Sequence, residues 1–239
     1  MVIVQHYVHS AKEYAEATAS PRDSFVLPER CPHPECRAVN ALIRWGSYER
    51  QALTDLEVYR IRVQRIRCKV CGRTHSLLPD FLHPFRHYVI SLLQRVVSRY
   101  LHLGLGINAL MRQLKGPGPV RSTIREWINS FAYGAGELLF SRLRRSLMEV
   151  DPLVELSERA PPEHLDRIPN HTKRRRLRNA YRFWELAEQL YAQAKVRLPR
   201  LHFGSDQLLS FVLHWLQSEV VPPRLFWSPR LSTTPTEAF

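Results

Sequence analysis

The chain is 239 residues long, with 35 Lys and Arg against 22 Asp and Glu, a formal net charge of +13 at pH 7 and a pI near 10.1. That length suits two or three small domains, and so basic a balance points to a polyanionic partner, nucleic acid foremost. No apolar run reaches the roughly 18 residues of a spanning helix and no lipidation motif appears, so an anionic membrane surface is the weaker alternative.

The positive excess is spread along the chain. Residues 30–80 hold ten Lys/Arg against five Asp/Glu, and residues 81–150 hold ten against three. The start, Met1-Val-Ile-Val-Gln-His-Tyr7, lacks the charged n-region and apolar h-region of a secretory signal. The expectation is therefore a soluble cytoplasmic protein, associated with the nucleoid.

Residues 1–29 read as a lead-in with weak structure of its own: a short apolar start, a helix-compatible stretch from Ala11 to Ala19, then breaks at Pro21 and Pro28. All four cysteines follow in two tight pairs, Cys31/Cys36 and Cys68/Cys71. Structural Zn²⁺ takes four thiolate or imidazole ligands in a closed tetrahedron, and two cysteine turns joined by a hairpin supply them without a large core. Residues 30–80 thus read as a zinc ribbon holding one structural Zn²⁺ on Cys31, Cys36, Cys68 and Cys71. Two disulfides are the rival, and they need an oxidising compartment. His33 and His75 lie beside the knuckles and either could stand in for a cysteine; the plainer reading makes them polar neighbours of a full shell. Within the ribbon, Ala41–Tyr48 and Leu56–Arg67 read as strands, with a bulge or bend at Gly46. The second strand alternates, Tyr59, Ile61 and Val63 against Arg60, Arg62 and Gln64, and then slips at Ile66, which predicts a bulge or twist near Gln64. Arg60 and Arg62 form either a solvated face or a phosphate-contacting one.

From Pro84 the apolar period becomes helical. Phe85, Val89, Leu92, Val96, Val97, Tyr100 and Leu103 make one stripe, and a shorter helix with Ile107, Leu110, Met111 and Leu114 follows Gly104 and Gly106. Lys115-Gly-Pro-Gly-Pro119 forces a turn. A third helix then starts at Ser122 as N-cap, or at Thr123 with Glu126 as a capping box, and buries Ile124, Trp127, Ile128 and Phe131. Helix, short helix, turn and capped helix is the layout of a helix-turn-helix, and equally of a plain three-helix bundle. In the first case Arg121, Ser122, Thr123, Arg125 and Asn129 face DNA, arginine and asparagine being suited to guanine and adenine edges. A further helix over Ala132–Glu149 carries Leu138, Leu139, Leu143 and Leu147, closing a helical domain over 81–150.

Four prolines between Asp151 and Pro169 mark 151–172 as a linker. A C-terminal basic helical region, 173–239, opens with Lys173, Arg174, Arg175 and Arg176, which serve as phosphate contacts or as a solvated helix end. A last helix runs from Asp206 to Gln217, with Leu209, Val212, Leu213 and Leu216 on one side. The fold class is α+β and mostly helical.

Three stretches carry a family resemblance: Cys31-Pro-His-Pro-Glu-Cys36; Ile43-Arg-Trp-Gly46-Ser-Tyr48; and Ile61 through Cys68-Lys-Val-Cys71-Gly-Arg-Thr74, leading through Ser76–Tyr88 into the helices. Over less than half its length the chain resembles the DNA-recognising amino-terminal part of bacterial insertion-sequence transposases and related standalone mobile-element proteins. The resemblance implies that ribbon and helix-turn-helix recognise element DNA. The first knuckle is wider than the family's usual two-residue spacing, and no large nuclease domain evidently follows. The expected protein is a sequence-preferring binder of double-stranded DNA, a non-enzymatic accessory or regulatory factor of a mobile element acting beside other transposition proteins. A compact or truncated transposase is one rival. An assembly adaptor whose ribbon binds protein or RNA is the other.

Overall fold

The computed structural model describes residues 2–7, 10–18, 26–114, 118–156, 159–197, 203, 207–219 and 225–227. It is an α+β molecule with one four-stranded sheet. Its contacts cluster into two units, residues 1–92 with 209–223, and residues 93–208 with 224–239. These boundaries fall inside helices.

In the first unit the ribbon hairpin, β2 (Leu42–Leu53) and β3 (Val58–Cys68), is antiparallel; β2 runs past the expected end at Tyr48, while β3 nearly keeps its expected span. Two further strands join it. β4 (Thr74–Pro79) pairs antiparallel with β3, and β1 (Val2–Gln5) pairs parallel with β4, giving the order β1-β4-β3-β2. The lead-in therefore has structure: besides β1 it forms α1 (Ala11–Ala17), started by a full capping box in which Ser10 and Glu13 each satisfy the other's backbone N–H. Four residues of strand carry too short a period to be read before their partner is known.

The slip at Ile66 is resolved on the neighbouring strand. The register shifts between Arg44 and Gly46, leaving Trp45 as the extra residue opposite the Arg65–Ile66 step, with Gly46 at φ +116°. No bulge lies in β3 itself. Ile61 and Val63 are buried on one face of the sheet, Ile66 and Cys68 on the other, so the strand changes its buried side along its length. The second face packs Ile3, Leu42, Ile66, Cys68 and Leu77 around the cysteines.

Side chains satisfy strand backbone at two places in this sheet, one on β3 and one on the outer edge of β1. Thr18 Oγ1 accepts the Arg62 N–H and Tyr14 Oη donates to the Arg62 carbonyl, so α1 satisfies β3 where β4 no longer reaches. On β1, the Gln217 amide both accepts the Val4 N–H at 2.7 Å and donates to the Val4 carbonyl at 3.2 Å. One side chain of α8 (Leu208–Ser218) thus takes the place of a neighbouring strand.

The long helix α2 begins at Ile90 and ends at Leu103. The expected start near Phe85 is corrected: Phe85 has φ +64° and is exposed, and 82–89 form bridges rather than a helical turn. Leu93 and Leu101 belong to the buried stripe, whereas Leu103 is exposed. α3 (Ile107–Arg112) and α4 (Arg121–Tyr133) follow. Residues 115–117 of the expected turn lie outside the described residues. The α4 core residues are as the pattern predicts, with Ile124, Trp127, Ile128 and Phe131 all buried.

The helix expected over Ala132–Glu149 continues α4 through a π-helical segment, Gly134–Leu139, into α5 (Phe140–Val150). The π turn shifts the register, which is why Leu139, Leu143 and Leu147 are buried and Leu138 is exposed. It also brings a long helix, α7 (His171–Arg197), into backbone contact: a Cβ on Gly136 would stand 2.2 Å from the Arg176 carbonyl oxygen. The expected linker carries a short helix, α6 (Glu163–Asp166), whose Leu165 is buried and whose His164 Nε2 lies 3.0 Å from the Tyr100 carbonyl oxygen. In α8, Leu209, Val212, Leu213 and Leu216 are all buried; its expected N-cap, Asp206, lies outside the described residues.

Candidate metal centre and nucleic-acid interface

Each cysteine pair sits in a turn that aims its sulfurs inward. In the first, the N–H groups of Cys36 and Arg37 both donate to the His33 carbonyl, and Cys31 N–H donates to the Ala38 carbonyl, the last turn being closed by Arg37 at φ +45°. The second is tighter. Gly72 N–H donates to the Cys68 carbonyl, Cys68 N–H to the Arg73 carbonyl, and Gly72 takes φ +70°, a conformation glycine adopts without strain.

The sulfurs of Cys31 and Cys71 lie 3.8 Å apart and those of Cys36 and Cys68 3.7 Å apart. All four fall within 4.8 Å of one another. Disulfide bonding needs about 2.05 Å, and all four thiols are free. A tetrahedron of Zn–S bonds of about 2.3 Å has edges of about 3.8 Å. The donor set and its spacing therefore fit a closed tetrathiolate site, and Cys31, Cys36, Cys68 and Cys71 would hold the ion.

The surroundings tune the thiols unequally. Backbone N–H groups of Cys71 and Val70 pull Cys68 down to about 7, whereas burial pushes Cys31 up to about 12. His33 contributes its carbonyl to the turn and is not among the clustered ligand atoms. His75 is close but outside the tetrad: its Nε2 lies 3.7 Å from the Cys31 sulfur, it is buried, and burial lowers it to about 4, so the ring is neutral. Its Nδ1 has no hydrogen-bond partner among the described residues. It is placed as an outer-shell N–H donor to thiolate sulfur.

The residues expected to meet nucleic acid fall into separate groups. On β3, Arg60 is exposed and stands opposite Gln51, while Arg62 is half-buried and stands opposite Glu49. The pattern gave no sign of the neighbouring exposed Trp45, whose ring carries the Arg67 guanidinium at 4.5 Å. On α4, Arg121, Ser122, Arg125 and Asn129 are exposed and Thr123 is half-buried. The expected Ser122 or Thr123 cap is corrected: Val120 is the N-cap and offers no side-chain hydrogen bond, because the extended residue after Pro119 places Arg121 in the first turn.

Asn129 shares a cavity of about 410 Å³ with Ala132, Asn170, Thr172, Lys173 and Arg176, so the far end of α4 and the basic start of α7 line one depression. A second, of about 510 Å³, is lined along α7 by His171, Arg174, Arg175, Arg178 and Arg182. The basic cluster is partly neutralised from within. Arg175 and Arg176 bond the Glu137 carboxylate at 2.7 and 3.2 Å, Arg176 also lies over the Tyr133 ring, and Arg174 donates to the carbonyls of Asp166 and Ile168. Burial alone would raise Glu137; the hydrogen bonds from Arg176 and Arg175 prevail and hold its carboxyl below the usual range.

No helix among the described residues is long and apolar enough to cross a membrane. A cysteine-knuckle sheet unit and a basic helical unit are what fold and site define. Residues 31–127, from the first cysteine to the core of α4, match a family described as a domain of unknown function (DUF6431). No curated protein and no solved structure matches the chain.

Proposed function

We propose that the protein is a sequence-preferring binder of double-stranded DNA whose ribbon is built on one structural Zn²⁺. In this reading α3 and α4 act as a helix-turn-helix, with α4 in the major groove. The observation that carries it is the exposed face of α4. Arg121, Arg125 and Asn129 recur every fourth residue, and Asn129 shares its cavity with Lys173 and Arg176. A helix edge bearing guanine- and adenine-reading side chains, continued by cations that meet phosphates, combines base readout with backbone positioning. The net charge of +13 supports a polyanionic partner. Recruitment to a mobile element, as an accessory factor without strand-cleaving activity of its own, follows from the resemblance of the knuckles and strands.

The deciding experiment is selection of fragments from a random duplex pool by the purified chain. An enriched motif is expected, and Arg125→Ala should weaken preference for it by about 1–3 kcal/mol, the value of a bidentate guanine contact. Affinity and preference both unchanged in that variant would remove α4 as the reading helix. Nicking of the selected DNA by the protein with Mg²⁺ or Mn²⁺ would move it to the transposase class.

A further inference from the structure

A second group of potential ligands lies in the first unit, away from the cysteines. His6 follows β1, Asp80 follows β4, and His214 stands in α8. The parallel register Gln5↔Pro79 explains the first juxtaposition, since the residues leaving the two strand ends emerge side by side and Asp80 N–H donates to the Gln5 carbonyl. On α8, Ser210 and His214 are one turn apart on the same face; Ser210 Oγ donates to the Asp80 carbonyl at 2.8 Å, holding His214 against the carboxylate.

Asp80 is only 3% exposed. Its Oδ1 accepts the Tyr7 N–H at 3.0 Å, which leaves Oδ2 facing two imidazoles: His6 Nδ1 at 2.6 Å and His214 Nε2 at 3.1 Å. The three donor atoms all lie within 4.8 Å of one another. Both histidine side chains are partly exposed, so the group has a solvent side.

We propose that His6, Asp80 and His214 form a second metal site, taking a borderline divalent transition ion such as Zn²⁺. Two imidazoles and one carboxylate oxygen are a donor set for such ions rather than for Mg²⁺ or Ca²⁺, which take oxygen shells. Three protein ligands with a solvent side leave a position for water, unlike the closed tetrad of cysteines. With metal bonds of about 2.0–2.1 Å, tetrahedral ligand atoms stand about 3.4 Å apart, so binding asks His6 and Asp80 to part by less than 1 Å. The Tyr7 N–H on Oδ1 supplies the outer-shell bond that fixes a monodentate carboxylate. An ion there would tie β1, the turn after β4 and α8 together.

The test counts metal on the full chain, stripped and then equilibrated with Zn²⁺ under reducing conditions. Two equivalents are expected. In a His6→Asn, His214→Gln variant the amides keep N–H donors where Nδ1 and Nε2 stood but no longer ligate, and one equivalent is expected. The single His214→Gln, a quarter-exposed position, gives the same reading should the double variant not accumulate. With Co²⁺ as probe, the absorption lost in the variant should lack thiolate-to-metal charge transfer. Equal metal content in wild type and variant, or charge transfer in the lost equivalent, would overturn the site. A chain that loses only the histidine-dependent equivalent, its cysteines holding none, would overturn the ribbon reading and leave this one standing.

Discussion

Cys71 shows how much one side chain can decide. It has no hydrophobic replacement in its role, since the sulfurs of Cys31 and Cys71 at 3.8 Å and Cys36 and Cys68 at 3.7 Å face a common centre, and three thiolates leave a structural ion under-coordinated. In small metal-built units binding free energy is folding free energy. Cys71→Ser should therefore release the ion proposed for the cysteine site and unfold β2 and β3, read as the loss of one metal equivalent in elemental analysis and by loss of amide dispersion; full retention of metal and stability would refute the tetrad. Metal binding expels thiol protons, and Cys31, pushed up to about 12 by burial, begins protonated. Val120 is the opposite case, a residue poorly suited to its position. It caps α4 without a side-chain acceptor, so Val120→Ser should stabilise the fold by about 0.5–2 kcal/mol. Thermal unfolding checks this, and no rise in midpoint would mean that the first-turn N–H groups are already satisfied.

The π-helical turn is where one element sets the position of another. Gly136 brings its backbone to the backbone of α7 at Arg176, 2.2 Å from where a Cβ would be. Alanine is the better helix former by up to about 1 kcal/mol, yet overpacking against a rigid carbonyl costs about 1–3 kcal/mol. Gly136→Ala should thus destabilise the helical unit, and by moving α7 it should also weaken the proposed DNA binding; a neutral or stabilising result would show that α7 slides freely. Nothing in Gly134-Ala-Gly136 announces a π turn, because the signal is an approach from a helix some 40 residues later. The cysteine knuckles, the Gly46 bulge and the buried stripe of α4 were legible, since each is set by local spacing. β1 was not, because a parallel edge strand is defined by its partner, nor was Asp80, whose two histidines come from the far ends of the chain. Phe85 misled for a local reason: its spacing fits the stripe of α2, but the positive φ belongs to the turn before it.

For the molecule as a whole, charge would govern affinity in the proposed DNA complex, and the pairing of Arg175 and Arg176 with Glu137 limits how much of that charge is available. Four phosphate contacts from Lys173, Arg174, Arg175 and Arg176 would contribute about 3.6 to the salt slope, at roughly 0.9 each. Arg175 and Arg176 already hold Glu137, so replacing all four with Ala should flatten the slope by about two and weaken binding to every sequence alike. An unchanged slope would return the cluster to a solvated helix end. The route of the chain has a separate consequence in time. The first unit takes residues 209–223 as well as the first 92, and Val4 meets Gln217 across 213 positions. During synthesis at about 5–20 residues per second, both cysteine knuckles leave the ribosome on the order of ten seconds before α8 exists. Until then the free edge of β1 has no Gln217 amide and Asp80 has no His214. The nascent chain can therefore close its cysteine site early, but it carries an open sheet edge through most of its own translation, the interval in which a chaperone or a second nascent copy has something to hold.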